Sequence, residues 1–221
     1  MNLPGQLLGD LWYWLAWGLW LPLMGLALRL APWGRFKEGN HLNVWLGMIV
    51  ALVLLWSMKA GIKPGLDLHL TGIMLFTLVF DLPLAFIGLN LVLLGITLNG
   101  NMDFTAFALN GLVMAGMGGG FSFLIRRGVD YCFPRHFFVF VFLKGFFGAA
   151  LVVMGVGLTF SLLYGINAIY SWDYLLEEYL PYYLLLGFSE AWISGMVLTL
   201  MLVYRPEWVS SFDDSIYSRG K

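Results

Sequence analysis

Residues 66–98 read LDLHLTGIMLFTLVF-DLP-LAFIGLNLVLLGITL, an apolar run interrupted near its middle by Asp81 and Pro83. A run of this length is compatible with one kinked helix, because proline is tolerated in membrane helices. Asp81-Leu82-Pro83 is also typical of a turn, which would divide the run into helices over 66–80 and 83–98. The number of helices, and the side on which every later loop lies, depends on this choice.

The composition indicates a polytopic membrane protein. Of the 221 residues, 60% are hydrophobic and 11% are charged, whereas about 25% are charged in a typical soluble domain. Apolar stretches of about 20 residues recur, the length that a helix needs to cross a bilayer. The alternation expected of a membrane β-barrel is absent. We therefore expect an all-α membrane protein with helices over 9–31, 42–60, 66–80, 83–98, 104–126, 136–164 and 178–204.

The charge distribution decides how residues 66–98 are interpreted. With seven crossings and the N-terminus outside, Lys59 and Lys63 remain outside together with the acidic loop 165–180. The inside loops then carry most of the basic residues: Arg29, Arg35, Lys37, Arg126, Arg127 and Arg135. One helix over 66–98 would send the last three of these outside. The positive-inside rule therefore favours seven transmembrane helices and a cytoplasmic C-terminus.

Several classes of protein are excluded by the sequence. The chain shows no repeat or long linker, so we expect one transmembrane domain over 1–204 and a short cytoplasmic tail over 205–221. The single cysteine, Cys132, excludes an internal disulfide and a cysteine-rich metal cluster. The net charge of -1, without a basic tail, gives no indication of nucleic-acid binding. No hydrolase or Walker motif is present, so we do not expect an enzyme. The N-terminus lacks a cleavable signal and is expected to stay attached.

His69 is the main candidate for a functional residue. It stands in an apolar run, where an ionisable side chain is costly and usually has a function. The seven-helix topology places it at the outer face, at the start of the third helix and on the side of the N-terminus. An α-amine and an imidazole are both good ligands for nickel or copper, and Asp67 is placed to add an oxygen. The alternative is a histidine that only hydrogen-bonds helix ends near the interface.

Three further polar residues stand within the apolar helices. Asn110 is suited either to bridging helices by hydrogen bonds or to orienting a ligand or water. Lys144 and Glu190 fall at matching depths on the last two helices, where an isolated charge costs about 2.5–3.5 kcal/mol or more. We therefore predict a structural ion pair between Lys144 and Glu190, in preference to a proton relay.

Four segments, taken in order, resemble the CbiM/NikM family, the integral membrane subunits of energy-coupling factor transporters for cobalt and nickel. Residues 1–5 (MNLPG) are similar to the Met-His-Ile-Pro opening of that family, and residues 69–72 (HLTG) to its His-x-Thr-Gly element. Residues 108–119 resemble its Gly-Ala-Asn segment, and residues 190–195 its final Glu-Gly-x-x-Thr-Ala helix. The matches span most of the chain.

The resemblance implies a metal site on the outer side of a seven-helix fold. In the family, the metal is held by the N-terminal amine, by the second residue and by the core histidine, which correspond to Met1, Asn2 and His69. Asn2 stands where the family has a histidine, so this position keeps its backbone amide but lacks an imidazole. Three polar residues are expected to support the site: Asp67, Thr71 and Asn110.

The resemblance also implies a function and partners. The chain would be a permease subunit in the inner (plasma) membrane that captures a divalent cation such as cobalt or nickel, with no other cofactor. A transmembrane coupling subunit and a pair of cytoplasmic ATPases would drive uptake. The alternative is a non-transporting scaffold or assembly protein on the same fold that has lost the metal site.

Overall fold

The computed structural model of this protein describes residues 3–61 and 63–213. These residues form an all-α fold with one short antiparallel strand pair, β1 (Ala60–Gly61) with β2 (Asp67–Leu68). In this part of the chain, five helices are long and apolar enough to span a membrane, and a sixth helix, of 17 residues, is apolar but shorter. The six helices are α1 (Asp10–Leu30), α2 (His41–Ser57), α3 (Ile73–Leu98), α4 (Phe104–Cys132), α5 (Phe137–Ile166) and α6 (Trp172–Tyr204).

The helix α3 lies at the centre of the bundle. Eighteen of its 26 residues are buried, whereas only three of the 21 residues of α1 are. A helix that is apolar on every side can be buried on every side, and the composition of α3 permits this position. The surrounding helices α4, α5 and α6 each include a π-helical stretch, at 112–117, 140–147 and 175–179.

The chain reverses direction within α3. Asp81 has φ 62° and ψ 166°, which is not helical. The ring of Phe76 packs against Gly88, where a Cβ atom would lie 2.6 Å from the ring. In a straight α-helix these two residues would be about 18 Å apart along the axis. The predicted break at Asp81 is therefore confirmed, and α3 consists of two arms, 73–80 and 82–98.

The first arm begins later than the sequence predicts. The predicted helix over 66–80 is wrong for its first residues, because residues 67–68 form β2 and the helix starts at Ile73. Gly72 has φ 62°, in the left-handed region that ends the preceding segment and favours glycine. His69 therefore lies in a non-helical segment and not at a helix start. Three other predicted bounds are also wrong, since α2 ends at Ser57, α4 continues to Cys132 and α6 begins at Trp172.

Hydrogen bonds at one end of the bundle join α5 to the loop between β1 and β2, and join α1 to the loop that follows α5. The hydroxyl of Tyr164 donates to the Gly65 carbonyl at 2.6 Å. The indole N–H of Trp12 donates to Asn167 Oδ1 at 2.7 Å. We call this end of the molecule, with residues 3–9, 58–72, 99–106 and 164–171, the hairpin end.

Ion pairs and tail contacts define the opposite end. Asp81 forms an ion pair with Arg126 and lies 3.8 Å from Arg35 Nη1. The backbone N–H of Ser211 donates to the Leu78 carbonyl at 3.2 Å, so the segment after α6 covers the last turn of the first α3 arm. We call this end, with residues 31–40, 78–83, 126–136 and 205–212, the arginine end.

Candidate metal centre

His69 lies in the segment between β2 and α3, outside the five candidate spans, and only 3% of it is exposed. Burial lowers the pKa of His69 to about 3, so the imidazole is neutral at neutral pH. Its Nδ1 is 3.0 Å from the Leu70 carbonyl oxygen and must therefore carry the proton. The lone pair is then on Nε2, which is buried and has no hydrogen-bond partner among the residues that the structure describes. A neutral imidazole nitrogen of this kind is suited to bind a divalent metal.

The N-terminal segment is held at the same end by Asn110. Asn110 Oδ1 accepts from the backbone N–H of Leu3 at 2.9 Å, and its Nδ2 donates to the Leu3 carbonyl at 3.0 Å. Both residues are fully buried. The backbone N–H of Gly5 donates to Asp103 Oδ2 at 2.8 Å. Asn110 thus fixes the residue that follows the two predicted ligands Met1 and Asn2, which lie outside the described residues.

The other two supporting residues have different surroundings. Asp67 forms a 2.8 Å ion pair with Lys59 across the strand pair. Both residues line an open pocket of about 320 Å³ at the hairpin end, between the strand pair and the N-terminal segment. Thr71 lies deeper, and its backbone and hydroxyl bind Glu190. The structure therefore places Asp67 at the pocket and Thr71 in contact with Glu190.

Donors for a complete metal site are limited. In the stretches 3–61 and 63–213, no group of three or more His, Cys, Asp or Glu residues is arranged to hold a metal ion. An ion bound to His69 would therefore need ligands from the chain terminus, from backbone groups or from water. An α-amine and a backbone amide, the donors that residues 1 and 2 offer, satisfy this requirement chemically.

Residues 2–208 match the family model described as the cobalt uptake substrate-specific transmembrane region, CbiM. The chain belongs to the CbiM family. A search of curated proteins finds no match. A solved structure described as a truncated transition metal transporter has a TM-score of 0.79 and 16% identity, covering 92% of this chain and 99% of that one. A second, described as a transition metal transporter, has a TM-score of 0.77 and 16% identity, covering 92% of this chain and 93% of that one.

These comparisons establish the kind of protein. At 16% identity, the two solved structures show that the fold is shared. The family match covers nearly the whole chain and makes this CbiM protein a membrane component of metal uptake.

The predicted ion pair between Lys144 and Glu190 is wrong in this CbiM protein. Lys144 Nζ lies 2.6 Å from Asp130 Oδ1, near the end of α4. Glu190 instead accepts hydrogen bonds from Thr71 and Gly72. Sequence fixes the depth of each side chain along the bundle but not the direction in which it faces. The partner of Glu190 could have been inferred, because the N–H groups at the start of a buried helix such as α3 need an acceptor.

Proposed function

We propose that this CbiM-family protein captures a divalent transition-metal ion, cobalt or nickel, at the hairpin end for uptake. The observation that carries the proposal is Nε2 of His69, a buried lone-pair nitrogen without a hydrogen-bond partner in the described part of the chain. Leaving a buried polar group unsatisfied costs about 1–3 kcal/mol. A metal ion bound to Nε2 would remove that cost.

The remaining ligands in this proposal come from the N-terminus. Asn110 holds Leu3 at the hairpin end by two hydrogen bonds. The α-amine of Met1 and the backbone amide of Asn2 would bind the ion together with His69. Cobalt and nickel both accept nitrogen donors of these kinds. Because Asn2 brings no imidazole, water would complete the coordination.

The topology that we propose has seven crossings, with the hairpin end outside and the arginine end in the cytoplasm. The reversal at Asp81 supports it, since each arm of α3 then runs between the two ends. Arg35 and Arg126 meet at one end, which by the positive-inside rule is the cytoplasmic one. In this orientation, residues 205–221 form a cytoplasmic tail.

The partners that we propose follow from this orientation and from the family. The protein carries no ATPase motif, so energy for release must come from other subunits. A transmembrane coupling subunit and cytoplasmic ATPases of the energy-coupling factor type, in the inner (plasma) membrane, would release the ion inward.

Metal binding by the purified protein tests the proposal. We expect the detergent-solubilised protein with a free N-terminus to bind about one Co²⁺ or Ni²⁺ in calorimetry, as one His69 site allows. His69→Ala should weaken binding at least about tenfold, the loss expected when a ligand is removed. His136→Ala is the matched control: His136 caps α5 at the arginine end through the Phe138 N–H at 3.3 Å. This control should bind like the wild type.

Two outcomes would contradict the proposal. If the wild type retains neither metal, capture is wrong and a scaffold on the same fold becomes the better explanation. If His69→Ala binds as tightly as the wild type, the site lies elsewhere. An N-terminal tag that replaces the free amine should weaken binding as well.

A further inference from the structure

Glu190 is a buried carboxylate that holds the turn next to His69. It lies on α6 and is 1% exposed. Its Oε2 accepts from the backbone N–H of Thr71 at 2.7 Å, and its Oε1 accepts from the N–H of Gly72 at 2.6 Å. The hydroxyls of Thr71 and Ser194 also donate to Oε1, at 3.1 and 3.3 Å. Four donors converge on the two oxygens, which is the arrangement that suits an ionised, acceptor-only carboxylate.

The turn is held from a second side by Trp56. The indole N–H of Trp56 donates to the Thr71 carbonyl at 2.9 Å, and its ring lies 5.2 Å from the His69 imidazole. Glu190 binds the amides of Thr71 and Gly72 while Trp56 binds the carbonyl of Thr71, so this backbone is fixed at both faces. Gly72, which has a left-handed φ of 62°, lies within this set of hydrogen bonds. His69 is two residues away on the same non-helical segment.

The hydrogen bonds of Glu190 exclude two other roles in this arrangement. Both carboxylate oxygens are occupied by strong donors, which leaves them poorly placed to bind a cation. Lys144 pairs with Asp130, so Glu190 does not serve as its counter-ion. A buried carboxylate is costly unless its hydrogen bonds are made, and here they are made to the segment that carries His69.

We propose that Glu190 is a positioning residue for the metal site: it holds the Thr71–Gly72 turn and thereby keeps Nε2 of His69 in its binding position. This proposal rests on the capture function proposed above. Glu190 itself touches no metal, and it acts from α6 on a segment that precedes α3. Replacing Glu190 should therefore change the position and the accessibility of the His69 imidazole, in addition to any loss of overall stability.

Glu190→Gln tests this role with almost no change in size. The amide places an N–H₂ group where an oxygen now accepts, so one backbone N–H of the turn loses its acceptor. We expect Co²⁺ affinity to fall at least about tenfold, as for other groups that orient a metal ligand. The absorption spectrum of the bound Co²⁺ should shift, and His69 should become reactive toward diethyl pyrocarbonate.

Two control variants separate positioning from stability. Ser194→Ala removes only the 3.3 Å hydroxyl bond to Glu190, so affinity should stay within about twofold of the wild type. Thr77→Val removes a buried hydroxyl that bonds the Ile73 carbonyl at 2.8 Å on the same α3 arm. Loss of this hydrogen bond should lower stability modestly without touching the turn, and His69 should stay unreactive.

Co²⁺ affinity and His69 reactivity in these variants distinguish a positioning role of Glu190 from a purely structural one. Wild-type affinity and wild-type His69 reactivity in Glu190→Gln would overturn the positioning role. If the wild type binds no Co²⁺, the capture function fails, but His69 reactivity still decides: reactivity gained in Glu190→Gln and not in Thr77→Val supports positioning. If Glu190→Gln does not fold, Glu190→Asp replaces it, because the shorter carboxylate cannot reach both amides, and the same readouts apply.

Discussion

The side chain of Asn110 holds the N-terminal segment by pairing with the backbone of Leu3, as a neighbouring β-strand would. Its side-chain amide pairs with both the N–H and the carbonyl of Leu3. Backbone groups inside an apolar bundle must be hydrogen-bonded, and residue 3 has no helix or sheet to supply partners. The buried side chain of Asn110 therefore supplies hydrogen-bond partners to both backbone groups of Leu3.

Replacing Asn110 with Leu should release this segment. The variant keeps the volume of the side chain but leaves two buried backbone groups of Leu3 unpaired, at about 1–3 kcal/mol each. We expect faster hydrogen exchange over residues 3–8, measured by mass spectrometry. The control is Asn90→Leu, which removes a buried amide that bonds Trp20 and the Phe86 carbonyl instead. Equal exchange over residues 3–8 in both variants would show that Asn110 does not hold the segment.

The sequence predicts candidate residues for a site more readily than the partners of those residues. An imidazole in an apolar run is unusual and singles out His69, which is buried, with a ring nitrogen that has no hydrogen-bond partner among the described residues. The sequence left open whether Asn110 bridges helices or orients something else. Its partner Leu3 is 107 positions away, a separation that no local pattern encodes. Glu190 was assigned the wrong partner for the same reason.

At the scale of the element, α3 combines a turn that the sequence predicts with a start that the predicted helix over 66–80 misplaces. Asp81 and Pro83 predict the turn, and the φ of 62° at Asp81 costs about 1–3 kcal/mol. Asp81 also forms ion pairs with Arg35 and Arg126 at this turn. Residues 66–72 (LDLHLTG) alternate leucine with Asp67, His69 and Thr71, a period-2 pattern typical of extended backbone, whereas the helix that follows is apolar at nearly every position. This alternation indicates a non-helical start, but the contacts with Trp56 and Glu190 that hold the segment are distant in sequence and no local pattern encodes them.

The packing of the two α3 arms predicts that alanine at Gly88 and alanine at Gly120 have opposite effects on stability. In Gly88→Ala the new Cβ would lie 2.6 Å from the Phe76 ring and 3.0 Å from Trp45 Nε1, so overpacking should destabilise the protein by about 1–3 kcal/mol. In Gly120→Ala nothing lies within 4 Å of the new Cβ. That variant should be more stable by up to about 1 kcal/mol, because alanine favours the helix.

Denaturant unfolding in detergent distinguishes the two structures of α3. A straight helix would carry Phe76 far from Gly88, and both alanine variants would then be neutral or stabilising. Destabilisation of Gly88→Ala, with Gly120→Ala at or above the stability of the wild type, is the result expected when the two arms pack side by side.

At the scale of the whole molecule, composition predicts the class and charge predicts the orientation. The apolar content predicts helices that span a membrane, and five such helices are present among the described residues. The sequence could not predict that α3 would be enclosed while α1 stays largely exposed. Both are apolar throughout, so burial depends on tertiary packing that composition does not encode.

The single cysteine offers a direct test of the seven-crossing topology. Cys132 is exposed at the end of α4, at the arginine end. We expect a membrane-impermeant maleimide to leave it unlabelled in intact cells and to label it after permeabilisation. The matched variant is Cys132→Ser combined with Asn99→Cys, which moves the thiol to the exposed end of α3 at the hairpin end and should label without permeabilisation. If residues 66–98 crossed the membrane only once with the N-terminus outside, position 99 would lie inside and Cys132 outside. The two labelling results would then be exchanged, which would contradict the reversal of the chain at Asp81.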